Sequence, residues 1–167
     1  SFQEYRQMFA LSDADLASRI VDCGGGPASF NAEATRRGTR VVSCDPLYRI
    51  DATQIRARIE ATRAEMVERA TRERHRFLWR VIRSPEMLGE VRLAAMNEFL
   101  SDYDAGRRSG RYVAGALPHL PFDDAHGTVI HSSLNFLNNG CDGDVVASVS
   151  EDGGKKWNTV VEVASGG

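Results

Sequence analysis

The chain has 167 residues, 42% hydrophobic and 26% charged, with 21 Lys and Arg against 23 Asp and Glu for a formal charge of −2. That length suffices to bury one core, the charge argues against a general nucleic-acid or membrane-surface binder, and no apolar run approaches the ~20 residues that span a bilayer. The three cysteines, Cys23, Cys44 and Cys141, form no CxxC pair, which points to a reducing, cytoplasmic compartment without disulfides or structural zinc.

The opening stretch, SFQEYRQMFAL, lacks the basic flank and apolar block of a secretory leader, so none is expected. Tyr5, Met8 and Phe9 fall at helical spacing and predict one short amphipathic helix from near Phe2 to Ala17. Arg19 to Asp22 reads as a brief strand ended by Gly24, Gly25 and Gly26. Phe30 to Arg37 follows as a helix, with Gly38 where a left-handed C-terminal cap belongs. Val41 to Cys44 is a second apolar strand closed by Asp45 and Pro46. Two strands with a helix between them form a βαβ unit, hence a parallel sheet with a right-handed crossover.

Residues 50–110 change character and become rich in Arg, Glu and Ala. They predict two or three helices broken near Ser84 to Met87, with Pro85 in a first helical turn. Between Arg56 and Arg83 stand nine arginines against four glutamates, spread around the helix surface as a solvated face. Ile59, Met66, Phe77, Trp79 and Val81 supply the apolar face that packs inward. Arg111 to Ala114 and Thr128 to Ser132 read as a third and a fourth strand, joined through a loop that two prolines keep irregular. From Asn138 a turn cluster leads into Val145 to Val163, whose alternation predicts a β-hairpin around a Gly-rich turn. The expected class is therefore α/β, Rossmann-like, with a mostly parallel sheet and flanking helices. One domain over 1–167 carries a helical insertion at 50–110 and a divergent hairpin tail at 138–167.

The glycines raise the functional question. In an open α/β sheet, ligands sit beyond the carboxyl ends of the strands, over the first strand–helix turn. Bare backbone there lets a ligand approach closely, and an acid ending the second strand can accept both hydroxyls of a ribose. Asp45 follows Gly26 at about the 20-residue spacing such sites use. A dinucleotide fingerprint would require G-x-G-x-x-G, whereas Ser29 stands at the third glycine's place. Asp22, just before the turn, would repel a pyrophosphate and suits a ligand bearing an ammonium group. S-adenosylmethionine has an ammonium group and no phosphate.

IVDCGGGPASF with VVSCDP resembles the first two motifs of the class I S-adenosylmethionine-dependent methyltransferases. In that family the first motif is D/E-x-G-x-G-x-G, matched here by Asp22, Gly24 and Gly26, with Ala28 replacing the last glycine. GALPHLPFDDA is similar to the family's loop after the third strand, and the likeness covers most of residues 5–137. The resemblance implies that Asp22, Cys23 and the main chain of Gly24, Gly25 and Gly26 hold the methionine portion. Asp45 would take the ribose hydroxyls, Pro46 and Leu47 would lie beside the adenine, and the loop from Leu117 to Phe122 would close on its edge. It further implies methyl transfer to a small-molecule acceptor lodged between the insertion and His131 to Asn135.

Departures from the family are specific. Ala116 stands where an acid commonly meets the adenine amino group, and His126 and Gly127 replace the family's FD before the fourth strand. Too few residues follow Leu137 for a fifth strand, its helix and a terminal hairpin. Ser150, Asp152, Gly154 and Trp157 match the Asp-box turn of sialidase-like propellers, but one copy makes a turn rather than a propeller.

Plainer readings stand beside these. The glycines alone are a tight turn, and Asp45 alone is a helix N-cap. Cys23 and Cys44 read as small buried apolar residues, and His119 and His131 as structural histidines. The alternative to an enzyme is a non-catalytic or truncated methyltransferase-like protein that serves as a cofactor-binding or oligomeric module. Its uncovered sheet edge or C-terminal hairpin would then mediate a homodimer.

Overall fold

A computed structural model describes residues 1–76, 82–116, 128–132, 145–150 and 158–163. The order is α1 (Phe2–Met8), α2 (Asp13–Ala17), β1 (Arg19–Cys23), α3 (Phe30–Arg36), β2 (Arg40–Cys44), α4 (Ala52–Arg72), α5 (Pro85–Arg108), β3 (Tyr112–Val113), β4 (Thr128–Ser132), β5 (Val145–Ser150) and β6 (Asn158–Val163). Phe77, Trp79, Val81, Leu117 with its loop, His119, His126, Gly127, Cys141, Asp152, Gly154 and Trp157 lie outside the described residues.

β1 pairs in parallel with β2 and β4, and β2 with β3, giving a four-stranded parallel sheet in a Rossmann-like arrangement flanked by helices. The full order is β3-β2-β1-β4-β5-β6, with β5 and β6 added antiparallel as the hairpin the alternation predicted. The tail therefore extends the sheet directly beside β4 and takes the place where the resemblance would put a fifth parallel strand.

Local chemistry accounts for most boundaries. The single helix expected up to Ala17 is two: the chain turns at Ala10, whose φ is 49°, and restarts at Ser12. Ser12 and Asp15 form a reciprocal capping box, which offers the freed amides an acceptor and makes the break cheap. The turn also drives Leu11 into the core. Gly38 has φ 89°, the left-handed cap expected after α3. The insertion is a helical hairpin, with Asp51 capping α4 and Ser84 capping α5 ahead of Pro85.

Two buried clusters lie on one face of the sheet. Around α1 and α3, Phe2, Tyr5, Phe9 and Phe30 pack with Ile20, Val41 and Ile130. Along α5, Phe99 and Tyr103 pack with Tyr48 and Tyr112, and Ile55 and Ile59 of α4 close the group. Ring centroids in this second cluster are 4.9 to 6.0 Å apart. Gly89 of α5 sits so close to α4 that a Cβ there would approach Val67 to 2.8 Å, so the hairpin is tightly closed at that level.

Tyr103 is fully buried and its hydroxyl donates to the Ile50 carbonyl at 2.8 Å. Tyr103→Ala is expected to cost ~3–5 kcal/mol and Tyr103→Phe only ~1 kcal/mol, measured by urea unfolding. Equal costs would mean that the ring contributes no packing.

Candidate functional site at the carboxyl ends of β1 and β2

Alternation along the strands sorts the site residues. Asp22 of β1 is in register with Ser43 of β2 and Ile130 of β4, and Ser43 with Tyr112 of β3. This row shares the face occupied by α3 and α5. The next row, Val113, Cys44 and Cys23, alternates to the opposite face. Cys23 and Cys44 are buried thiols not joined in a disulfide, and burial pushes them up to about 12 and about 11. Such thiols are poor nucleophiles, in keeping with a packing role.

Past the strands, the chain bends at Gly24 and Gly26, with φ 77° and 52°. Gly25 lies directly over the Asp22 carboxylate, and a Cβ at Gly25 would overlap it. Two of the three glycines thus supply a backbone angle, and the third supplies room for a side chain of the protein itself.

Asp45 faces this bend. Its Oδ2 accepts the Gly26 N–H at 2.9 Å, and its Oδ1 accepts the Leu47 N–H at 2.7 Å. Asp45 is therefore the N-cap of a short 3-10 turn over Pro46–Arg49 and the anchor of the glycine bend together. The plain N-cap reading and the proximity to the bend are both realised in one carboxylate. Each oxygen retains a second lone pair for a further donor. Pro46 is exposed and Leu47 half-buried, side by side at the rim of the bend.

Tyr48 closes the arrangement from beneath, its hydroxyl donating to the Gly26 carbonyl at 2.8 Å. Gly24 donates its N–H to the Cys44 carbonyl at 2.9 Å. The N–H groups of Gly24 and Gly26, and the Gly26 carbonyl, are consequently committed within the protein. The resemblance assigned ligand contacts to the main chain of Gly24 to Gly26; those three groups are already engaged, so they shape the bend.

Asp22 is 1% exposed. Its Oδ2 accepts the Ser43 hydroxyl at 2.9 Å, while Oδ1 has no hydrogen-bond partner among the described residues. Burial raises its pKa to about 7; the Ser43 bond opposes the rise, and the neighbouring Asp45 charge adds to it. From Ser43 the polar chain continues: Asn31 Nδ2 donates to Ser43 Oγ at 3.0 Å, and Arg111 donates to Asn31 Oδ1 at 2.7 Å. Arg111 also makes a bidentate pair with Asp102, both bonds at 2.7 Å, and the Tyr112 hydroxyl donates to Asp102 at 2.9 Å. The network joins the motif acid to α3, α5 and β3.

Sequence reading located Asp22, Asp45 and the glycines but missed Tyr48, Ser43, Asn31, Arg111 and Asp102. One signal was available for Ser43, a polar residue on the inward phase of an otherwise apolar strand. The others meet through the fold, across separations of up to 80 residues.

Among the described residues no group of His, Cys, Asp and Glu is arranged to hold a metal, and no helix is long and apolar enough to cross a membrane. An open groove of about 400 Å³ lies between α3 and α5, floored by Val91, Ala94 and Ala95, and residues 22–26 and 45–48 do not line it. The proposed acceptor region at His131 to Asn135 extends from β4 beyond the described residues.

Comparison with known proteins adds one relative. The chain is 26% identical over 126 residues to an uncharacterized protein of Methanocaldococcus jannaschii, a match covering 74% of this chain and 56% of that protein. The chain thus spans little more than half the relative's length, and the relative's name states no activity. No family model matches the chain, and no solved structure does either.

The Asp22 shift makes stability depend on pH. With a folded pKa of about 7 against an ordinary 3.8, the native state holds a proton that the unfolded chain has released between those values. Stability from this group is therefore full below about pH 4 and declines as pH rises through 7. Asp22→Asn is expected to match the wild type within ~1 kcal/mol at pH 4 and to exceed it by ~2–4 kcal/mol at pH 8, by denaturant unfolding. A difference that does not change with pH would show that the carboxylate is ordinary.

Proposed function

We propose that the chain binds S-adenosylmethionine at the β1–α3 bend and transfers its methyl group to a small-molecule acceptor. The observation that carries this reading is Asp22 Oδ1, a buried acceptor beneath a glycine bend with no donor among the described residues. An unmet buried acceptor is costly, and a ligand ammonium group is a fitting donor for a carboxylate poised near neutrality. Asp45, on the same bend, keeps lone pairs for ribose hydroxyls while its backbone contacts fix its orientation.

In this reading Asp22, Cys23 and the Gly24–Gly26 bend accommodate the methionine portion. Asp45 takes the ribose, and Pro46 and Leu47 flank the adenine. Bound there, the cofactor would supply an electrophilic sulfonium methyl for in-line displacement. The chain's own contribution is to orient, through a bend that is already held in shape, and to exclude water. Two buried thiols outside any disulfide fit a reducing, cytoplasmic location.

A second reading is favoured by the antiparallel β5 lying against β4 and by Ala116, which offers no acid to the adenine. It makes the chain a non-catalytic module that associates through its hairpin or sheet edge. Sedimentation velocity separates the two: a monomer with methyl transfer retained rejects the module, and a dimer without transfer rejects the enzyme.

Isothermal calorimetry with S-adenosylmethionine and S-adenosylhomocysteine tests the site directly. Binding of at least one is expected; no heat and no thermal shift with either would reject it. Asp45→Ala is expected to weaken binding at least ~10-fold and to cost ~1 kcal/mol of stability through the lost cap. Undiminished affinity would show that the ribose is misplaced.

A further inference from the structure

The aromatic cluster of the helical insertion and the glycine bend are joined at one atom. Tyr48 is 2% exposed, its ring 6.0 Å from Phe99, 5.8 Å from Tyr103 and 5.3 Å from Tyr112. Only its hydroxyl leaves that cluster, and it ends on the Gly26 carbonyl at 2.8 Å. Gly26 is thereby gripped at both polar atoms, its carbonyl by Tyr48 and its N–H by Asp45 at 2.9 Å. Its φ of 52° makes the grip consequential, since glycine left to itself samples both signs of φ almost equally. The rings of α5 and β3 set the height of the hydroxyl, and the hydroxyl sets the bend.

We propose that Tyr48 is a positioning residue of the nucleoside site, clamping the Gly26 carbonyl so that the bend and the Asp45 carboxylate stand preorganised for the ligand. The inference rests on the cofactor reading above and assigns the helical insertion a part in it: the insertion braces the cofactor loop through its aromatic face. Preorganisation acts by sparing the cost of ordering a loop on binding. A ring that merely packs would be replaced by phenylalanine without effect on the ligand.

Tyr48→Phe removes the hydroxyl and keeps the ring. In 1H–15N spectra without ligand, the Gly26 amide is expected to move, because its own carbonyl loses a partner and its bond to Asp45 relaxes. By calorimetry the variant should bind S-adenosylhomocysteine ~10-fold more weakly than the wild type, about what one lost hydrogen bond is worth. Tyr103→Phe, which loses a hydroxyl from the same cluster to the Ile50 carbonyl, should unfold with similar ease and bind as the wild type does. Equal affinity in Tyr48→Phe and wild type would overturn the proposal, as would an equal loss in both variants. If the wild type takes up no S-adenosylhomocysteine, the cofactor reading fails and with it the ligand role; the Gly26 resonance then decides whether the clamp exists at all. Should Tyr48→Phe not fold, Phe99→Leu loosens the ring beside Tyr48 and leaves the hydroxyl in place. It is expected to weaken S-adenosylhomocysteine ~3-fold or more, and unchanged affinity would count against the clamp.

Discussion

Asp45 ties together two chain segments that leave the sheet side by side. One oxygen holds the Gly26 amide after β1 and the other holds the Leu47 amide after β2, so both turns are fixed by one carboxylate. Charge-assisted bonds from backbone amides are shorter and stronger than neutral ones, and here each meets a donor that its own turn leaves unpaired. Remove that carboxylate and the bend at Gly26 retains only the Tyr48 hydroxyl. The cap of the 3-10 turn would go as well, and with it the placement of Tyr48 at the edge of the aromatic cluster. The carboxyl ends of β1 and β2 therefore behave as one mechanical unit.

Beneath that unit lies a buried acid that the fold only half satisfies. Asp22 has one bond from Ser43 and a second oxygen with no partner among the described residues. Its neighbours across the sheet are fully connected: Asn31, Arg111, Asp102 and Tyr112 satisfy one another at 2.7 to 2.9 Å. Arg111 does not reach the Asp22 carboxylate; its charge is spent on Asp102. The network reaches Asp22 only through the neutral Asn31 and Ser43 side chains, and burial raises the carboxyl's pKa. An oxygen such as Asp22 Oδ1 in an otherwise well-paired region is the exception among buried polar groups, nearly all of which are hydrogen-bonded.

The helical insertion belongs to the same construction. Its Phe99 and Tyr103 reach the sheet at Tyr112 and the turn at Tyr48, so α5 is core to the β2–β3 side of the molecule. α4 packs on α5 and presents Arg56, Arg58, Arg63 and Arg72 to solvent, with Arg69 half-buried. The region between β2 and β3 is thus a structural support with one end on the candidate site.

Local signals were legible without coordinates. The glycine bend, the acid closing β2, the left-handed Gly38, the Pro85 helix start and the alternation of the final hairpin each depend on neighbours within a few residues, where backbone sterics and hydrogen-bond geometry act directly. The break at Ala10 was missed because the 3.6-residue apolar period runs across it, and only the reciprocal Ser12–Asp15 cap announces the turn. The partners of Asp22, the clasp of Tyr48 on Gly26 and the bracing by α5 belong to tertiary structure alone. They join residues 21, 22 and 80 positions apart. No periodicity encodes such meetings; they follow from which strand lies beside which, and from the face of the sheet on which each helix comes to rest.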